Sequence, residues 1–297
     1  MTYLLARPAL RRALGEKQPT QYETGLIEGL RSRVDSRTAK EIFAGFAKEP
    51  LASQALGVES ILSALFLASV DTAGGTMSAL TRRAFDRMWS LQNQNGKTQG
   101  AWAWFSLNLD PWEMPESQYL GASLAALAAG MTPAEYRKRP EIQERITALT
   151  AYLAREQQAQ PLHNQLYLLW ASTKLREALP EAGRKQIIEE VWRKQQPDGG
   201  WTIQALGPWA AHSNAPPSTG SNAYATGFVA FVLGKTGVAR TDERLVRALE
   251  WLRSHQNPQF GYWTSDSMNK VFQPDSMMVK FMQDAATAFA ALALIGD

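Results

Sequence analysis

The chain has 297 residues, of which 45% are apolar and 20% charged, the balance of a globular protein able to bury a sizeable core. It has no cysteine, so disulfides, thiolate metal sites and cysteine nucleophiles are excluded. His163, His212 and His255 are its three histidines and its formal charge is +3. That composition gives no metal site, no cofactor signature and no nucleic-acid partner.

In chain order, the start MTYLLARPALRRAL places its charges after its apolar residues. It reads as an N-terminal helix packed on the domain, with a lipid-touching amphipathic helix as the second reading. The expected location is therefore the cytoplasm or the periphery of a membrane, and a leader removed ahead of this start stays open. Residues 1–36 are read as an N-terminal helical extension or a sixth hairpin of one domain covering 1–297. The cleanest uncharged helical runs, Tyr119–Met131 and Ala285–Gly296, fall short of the roughly 20 residues that span a membrane. Helix pairs follow. The first is Arg37–Lys48 with Ser53–Ser69, and another is Glu141–Glu156 with Leu162–Leu175.

Three further pairs carry an internal repeat. Amphipathic helices at Ser78–Leu91, Arg184–Lys194 and Thr241–His255 each run into a Gln and then a Gly-x-Trp. The copies are Gln92, Gly100 and Trp102; Gln195, Gly199 and Trp201; and Gln256, Gly261 and Trp263. Each is followed by a nearly uncharged helix rich in small residues, starting at Gln118, Asn222 and Asp284. A helix apolar all round is buried on every side, and a helix with one charged face borders water. An inner ring of the first kind inside an outer ring of the second is an all-α fold, an α/α toroid of five or six hairpins. No segment shows the two-residue alternation of a sheet. The connections Asn93–Ser117, Pro197–Ser221 and Asn257–Gln283 are long, whereas Asp71–Met77 and Gly234–Arg240 are short. Long connections tend to be functional, and chain direction puts these at one mouth of the barrel. Trp102, Trp104, Trp112, Trp201, Trp209 and Trp263 lie in or beside them.

The Gln-x-x-x-Gly-x-Trp pattern, met in full by Gln195, Gly199 and Trp201, resembles the repeat of the squalene–hopene cyclase and protein prenyltransferase superfamily. The other copies carry insertions of four residues and of one. The resemblance covers roughly residues 40–297 and implies an α/α barrel holding an apolar, isoprenoid-type ligand, with acid-initiated cyclisation or isomerisation as the reaction. It also implies that a second toroid domain or subunit could accompany the chain. The D-x-D-D motif of those cyclases is absent from this sequence.

The polar residues that open the inner helices are the expected ligand contacts: Gln118, Tyr119, His163, Asn164, Asn222 and Tyr224, with Trp104, Trp112 and Trp209 from the loops. Asp284 and Glu59 are single carboxylates on inner helices, and a carboxylic acid buried among aromatics keeps its proton and can donate it. Both are candidate general acids. The alternative reading makes Asp284, Ser221 and Asn222 helix caps, His163 a satisfied core residue, and the Gln and Trp of each repeat structural. Asp110-Pro111-Trp112-Glu113 is a compact loop whose acids line the mouth or pack locally. Two other functions compete with the isoprenoid one. A carbohydrate-active α/α barrel requires a polar groove with two carboxylates about 5–10 Å apart if it hydrolyses glycosides. A non-catalytic scaffold requires only the helix framework.

Overall fold

A computed structural model describes residues 2–35, 44–71, 76–209, 212–216, 218 and 220–296. Among them are eleven helices of two turns or more: α1 Thr2–Leu14, α2 Gln21–Arg33, α3 Leu51–Asp71, α4 Ala79–Ser90, α5 Ser117–Met131, α6 Pro140–Glu156, α7 Leu162–Ala171, α8 Glu181–Arg193, α9 Ala223–Lys235, α10 Glu243–Ser254 and α11 Met277–Ile295. The described residues contain no strand, and their one β-bridge is the isolated Leu109–Glu113 pair.

Local chemistry sets the helix ends. Thr20 and Glu23 form a capping box at α2. Ser78, Asn222, Asp242 and Ser276 cap α4, α9, α10 and α11 with their side chains, each satisfying amides that have no partner inside the helix. Gly296 closes α11 in the left-handed region, at φ 72°.

The chain divides into two compact units. One comprises residues 20–160 and 167–181. Within it, α3 and α5 lie side by side, α2 and α4 pack against α3, and α6 packs against α5. The other comprises 1–19, 161–166 and 182–297. Within it, α9 and α11 lie side by side, α10 packs against both, and α1 lies along α11. In each unit, apolar helices are backed by amphipathic ones. At Gly227 of α9 an added Cβ would lie 2.7 Å from the Ala290 amide nitrogen of α11, so small residues are what let these two helices touch.

Several sequence expectations shift. The third inner helix starts at Met277, and Asp284 lies two turns inside it. Asp284 is therefore no N-cap of its own helix. Ser276 is the cap, and a Met-Met-Val start hid the true boundary. Ser221 is not a cap either, because its hydroxyl donates to Asp198 Oδ1 at 2.7 Å; Asn222 is the cap. The expected helix Arg37–Lys48 lies mostly outside the described residues, which resume there with a single 3₁₀ turn, Ala44–Phe46. The helix expected over Leu162–Leu175 ends at Ala171. By length and composition, α3 and α11 are apolar enough to cross a membrane, longer than the uncharged runs seen in the sequence. About 61% of the most apolar stretch of α3 and 39% of that of α11 is buried.

Candidate functional site

The repeat residues form one structure three times. In each copy the indole N–H of the Trp donates to a backbone carbonyl in the last turn of the preceding amphipathic helix: Trp102 to Met88 at 2.6 Å, Trp201 to Val191 at 2.9 Å and Trp263 to Leu252 at 2.8 Å. The Gln amide donates to the carbonyl of the repeat glycine: Gln92 to Gly100 at 3.0 Å, Gln195 to Gly199 at 2.8 Å and Gln256 to Gly261 at 2.8 Å. Gln92 and Gln195 also reach the next amphipathic helix, at Arg145 O and Arg244 O. The residue after each Gln pairs with the residue before each Trp, as Asn93 N to Ala101 O, Gln196 N to Gly200 O and Asn257 N to Tyr262 O. Insertions in the first and third copies are absorbed inside this turn. Gln92, Trp102, Gln195, Trp201, Gln256 and Trp263 thus bind backbone and hold helix ends.

In the unit of α9 to α11, four of the expected ligand residues meet around His163. The ring is fully buried, with Nε2 2.8 Å from the Tyr224 hydroxyl and Nδ1 3.2 Å from Asn164 Oδ1. Because Asn164 Oδ1 can only accept, Nδ1 carries the proton and Nε2 accepts from Tyr224. Burial pushes the His163 pKa down to about 4, so the imidazole is neutral near pH 7. Trp209 meets it edge-on at 5.7 Å, and Phe228 lies at the same distance. Asn222 Oδ1 accepts from Tyr224 N, Ala225 N and Ser265 Oγ. This is a closed, satisfied cluster. Ser265 was not seen from sequence, since nothing local marks a loop serine that returns 43 residues later in the chain.

Asp284 sits elsewhere in that unit. Its carboxylate accepts from Thr2 Oγ1 and from Tyr3 N. It therefore holds the first turn of α1, where a helix favours negative charge.

In the other unit, Gln118 donates to Trp102 O at 2.7 Å and the buried Tyr119 hydroxyl donates to Leu153 O at 2.9 Å. Both tie α5 to its neighbours. Glu59 is 3% exposed. It accepts from Ser63 Oγ at 3.0 Å and lies 3.8 Å from Arg33. Burial raises its pKa more than Ser63, Arg33 and Arg87 lower it. The Ser63 partner was legible as an i, i+4 neighbour; Arg33 was not.

The loop before α5 is the part of that unit with chemistry to spare. Trp104 Nε1 donates to Trp112 O at 2.9 Å, and Leu107 N donates to Glu113 O at 2.7 Å. Ser117 at the start of α5 closes the turn, accepting from Met114 N and donating to Pro111 O. Trp104, Phe105, Trp112 and Glu113 are half-buried, and Asp110 is buried. An added Cβ on Gly121 would lie 2.3 Å from the Trp104 ring, so glycine makes room for that indole on α5. Burial raises the Glu113 pKa above its ordinary value. The result is a half-buried carboxyl group, held toward its protonated form, in a loop that also carries two half-buried indoles. The sequence marked Glu113 only as one acid of the compact loop Asp110–Glu113, because half-burial of a loop carboxyl depends on contacts that no local pattern encodes. Among the described residues no three His, Asp or Glu side chains are grouped to hold a metal ion.

No family model and no curated protein matches the chain. Solved structures do. A possible member of the GH105 family from Salmonella enterica serovar Paratyphi A matches with a TM-score of 0.57 at 13% identity, covering 99% of this chain and 81% of its own. A possible GH105 member from Klebsiella pneumoniae matches with a TM-score of 0.57 at 14% identity, covering 99% and 80%. A UGL variant with dGlcA-Glc-Rha-Glc matches with a TM-score of 0.52 at 14% identity, covering 99% and 82%. The fold class is that of these proteins, an all-α, α/α-barrel fold.

These matches correct the expected kinship with squalene–hopene cyclases and protein prenyltransferases, and with it the apolar isoprenoid-type ligand and the terpenoid chemistry. The neighbours over nearly the whole chain are instead two possible GH105 members and a UGL variant. The physical reason lies in the motif. Each of the Gln and Trp side chains donates to a backbone carbonyl, so the pattern reports how a helix hairpin is fastened and carries no information about substrate.

Proposed function

We propose that the chain is carbohydrate-active, with a saccharide site on the loop 103–117 and Glu113 as its proton donor. The observation that carries this reading is Glu113 itself: a half-buried carboxyl held above its ordinary pKa, adjoining Trp112, whose carbonyl is bound by Trp104. Glycoside chemistry needs a carboxylic acid that keeps its proton toward neutral pH. A saccharide also offers apolar C–H faces, which suit half-buried indoles, and hydroxyls that a carboxyl can bind. Asp110, three residues earlier on the same turn, supplies a second carboxyl. Likeness to two possible GH105 members and to a UGL variant with dGlcA-Glc-Rha-Glc supports the substrate class.

The test is turnover of an oligosaccharide panel that includes dGlcA-Glc-Rha-Glc, followed by mass spectrometry of the products. Glu113→Gln is expected to lower kcat by about 10²–10⁴-fold with an unchanged unfolding midpoint, and Trp112→Ala to raise KM. Because the acid form is the active one, kcat/KM falls as pH rises through the elevated Glu113 pKa. Wild-type turnover by Glu113→Gln overturns the assignment. A second reading, the non-catalytic scaffold, is favoured by the closed His163 cluster and by the wholly structural repeat residues. Absence of turnover across the panel would select it.

A further inference from the structure

We propose that Asn95, in the turn of the first repeat copy, is a site of covalent self-modification: its side chain closes onto the Gly96 amide nitrogen, loses ammonia, and is converted by water to aspartate and isoaspartate. In that copy residues 93–99 separate the repeat Gln and Gly, where 196–198 do so in the second. The Asn95-Gly96 pair lies in this longer turn.

The reaction needs three things at one place: a carboxamide held by nothing else, a following main-chain N–H given to no acceptor, and open space around that nitrogen. Asn95 and Gly96 are both exposed. Among the described residues, no group hydrogen-bonds to the Asn95 side chain and none accepts from Gly96 N. Gly96 has no Cβ, and one built there meets no atom within 4 Å.

Each other asparagine fails one of these conditions. The Asn93 carboxamide donates to Thr98 Oγ1 at 3.1 Å, and that of Asn222 accepts from Tyr224 N, Ala225 N and Ser265 Oγ. After Asn108, Asn164, Asn214 and Asn269 the next amide is spent. Leu109 N donates to Glu113 O, Gln165 N to Pro161 O, Ala215 N to His212 O and Lys270 N to Ser267 Oγ. Asn257 precedes Pro258, which has no N–H. The Asp198-Gly199 step of the second copy is closed in both respects. Gly199 N donates to Gln196 O, and the Asp198 carboxylate accepts from Gly200 N, Ser221 Oγ and Trp251 Nε1.

The atoms balance without an oxidant or reductant. The Gly96 nitrogen, deprotonated by hydroxide, bonds to Asn95 Cγ. The bond from Cγ to Nδ2 breaks, and ammonia leaves a five-membered imide. Water then opens the imide. Attack at Cγ gives aspartate. Attack at the main-chain carbonyl gives isoaspartate, in which the main chain runs through the former side-chain methylene. Either product lowers the formal net charge by one from +3. The ends of the turn are held independently, by Asn93 N to Ala101 O, Gly100 N to Asn93 O and Gln92 Nε2 to Gly100 O. The change therefore stays between them, and the hairpin remains fastened.

The experiment holds the folded full chain at mildly alkaline pH, digests it at mildly acidic pH and weighs each asparagine peptide by mass spectrometry. The amide-to-acid mass gain is expected at Asn95, as two products of equal mass that separate by chromatography, about tenfold or more ahead of every other asparagine. The intact chain is expected to elute earlier from a cation exchanger in step, with an unchanged unfolding midpoint. Gly96→Ala is expected to slow the conversion by about tenfold, and Asn95→Gln, which leaves the Gly96 backbone untouched, to abolish the change in elution. In urea Asn93 and Asn222 should gain rate while Asn95 keeps its own. Conversion of another asparagine ahead of Asn95 in the folded chain overturns the assignment, as does an Asn95 that reacts only in urea. A single product without isoaspartate means direct hydrolysis of the side chain and likewise overturns it.

Discussion

His163 shows how the neighbours of one side chain settle its role. A histidine opening an inner helix is more often a satisfied core residue than a functional one, and the sequence leaves both readings open. Complete burial, Asn164 on one nitrogen and Tyr224 on the other make it a neutral core residue. The consequence for stability has a definite sign. The folded pKa of about 4 lies below the ordinary histidine value of 6.5, so below pH 6.5 the unfolded chain takes up a proton that the folded chain does not. Stability is therefore lost as pH falls from 6.5 toward 4, by about 3 kcal/mol for this one group. Urea unfolding across that range tests it: His163→Gln should flatten the slope by about one proton. The repeat glycines give a second residue-scale prediction. Gly261→Ala meets only the positive φ and should cost about 1 kcal/mol. Gly100→Ala also drives a methyl into Ala148 O and should cost a further 1–3 kcal/mol, roughly. Chemical denaturation of the two variants side by side reads the difference.

At the scale of elements, the fastening of one hairpin to the next is the feature with the clearest energetic meaning. Gln195 satisfies two carbonyls at once, one in its own turn and one at the start of α10. Gln195→Ala should destabilise by about 1–3 kcal/mol, and Gln256→Ala, whose bond stays within its own turn and is exposed, should cost less. Thermal unfolding orders the pair. Helix positions and the inner–outer distinction were legible because hydrophobic periodicity and capping residues are local signals. Ser78, Asn222 and Asp242 sit where such signals put them. The start of α11 was not legible. Met277, Met278 and Phe281 are apolar yet 63%, 41% and 59% exposed, so composition gave no contrast at the boundary. Asp284 then looked like a cap of α11, whereas it holds the N-terminus of α1, which lies 282 residues away in sequence.

At the scale of the molecule, the two units are each assembled from separated stretches of chain, so neither can be cut out as one segment. Residues 161–297 alone lack α1, which lies along α11 and buries Leu4, Ala6 and Ala9. That fragment should show reduced helicity by circular dichroism and gain it when a peptide of residues 1–19 is added. The fold class was readable from sequence because the alternation of amphipathic and apolar helices, repeated with its Gln and Trp, is a property of the chain itself. The same motif pointed to the wrong family, since fastening a helix hairpin demands those side chains whatever ligand the barrel serves. The sequence by itself determined an all-α architecture, the hairpin repeat and the absence of thiol chemistry, all of which rest on composition and local periodicity. Only the tertiary structure decided that His163 is neutral and that Glu113 is half-buried and held toward its acid form. Burial and long-range hydrogen bonding belong to the folded arrangement, and no local pattern carries them.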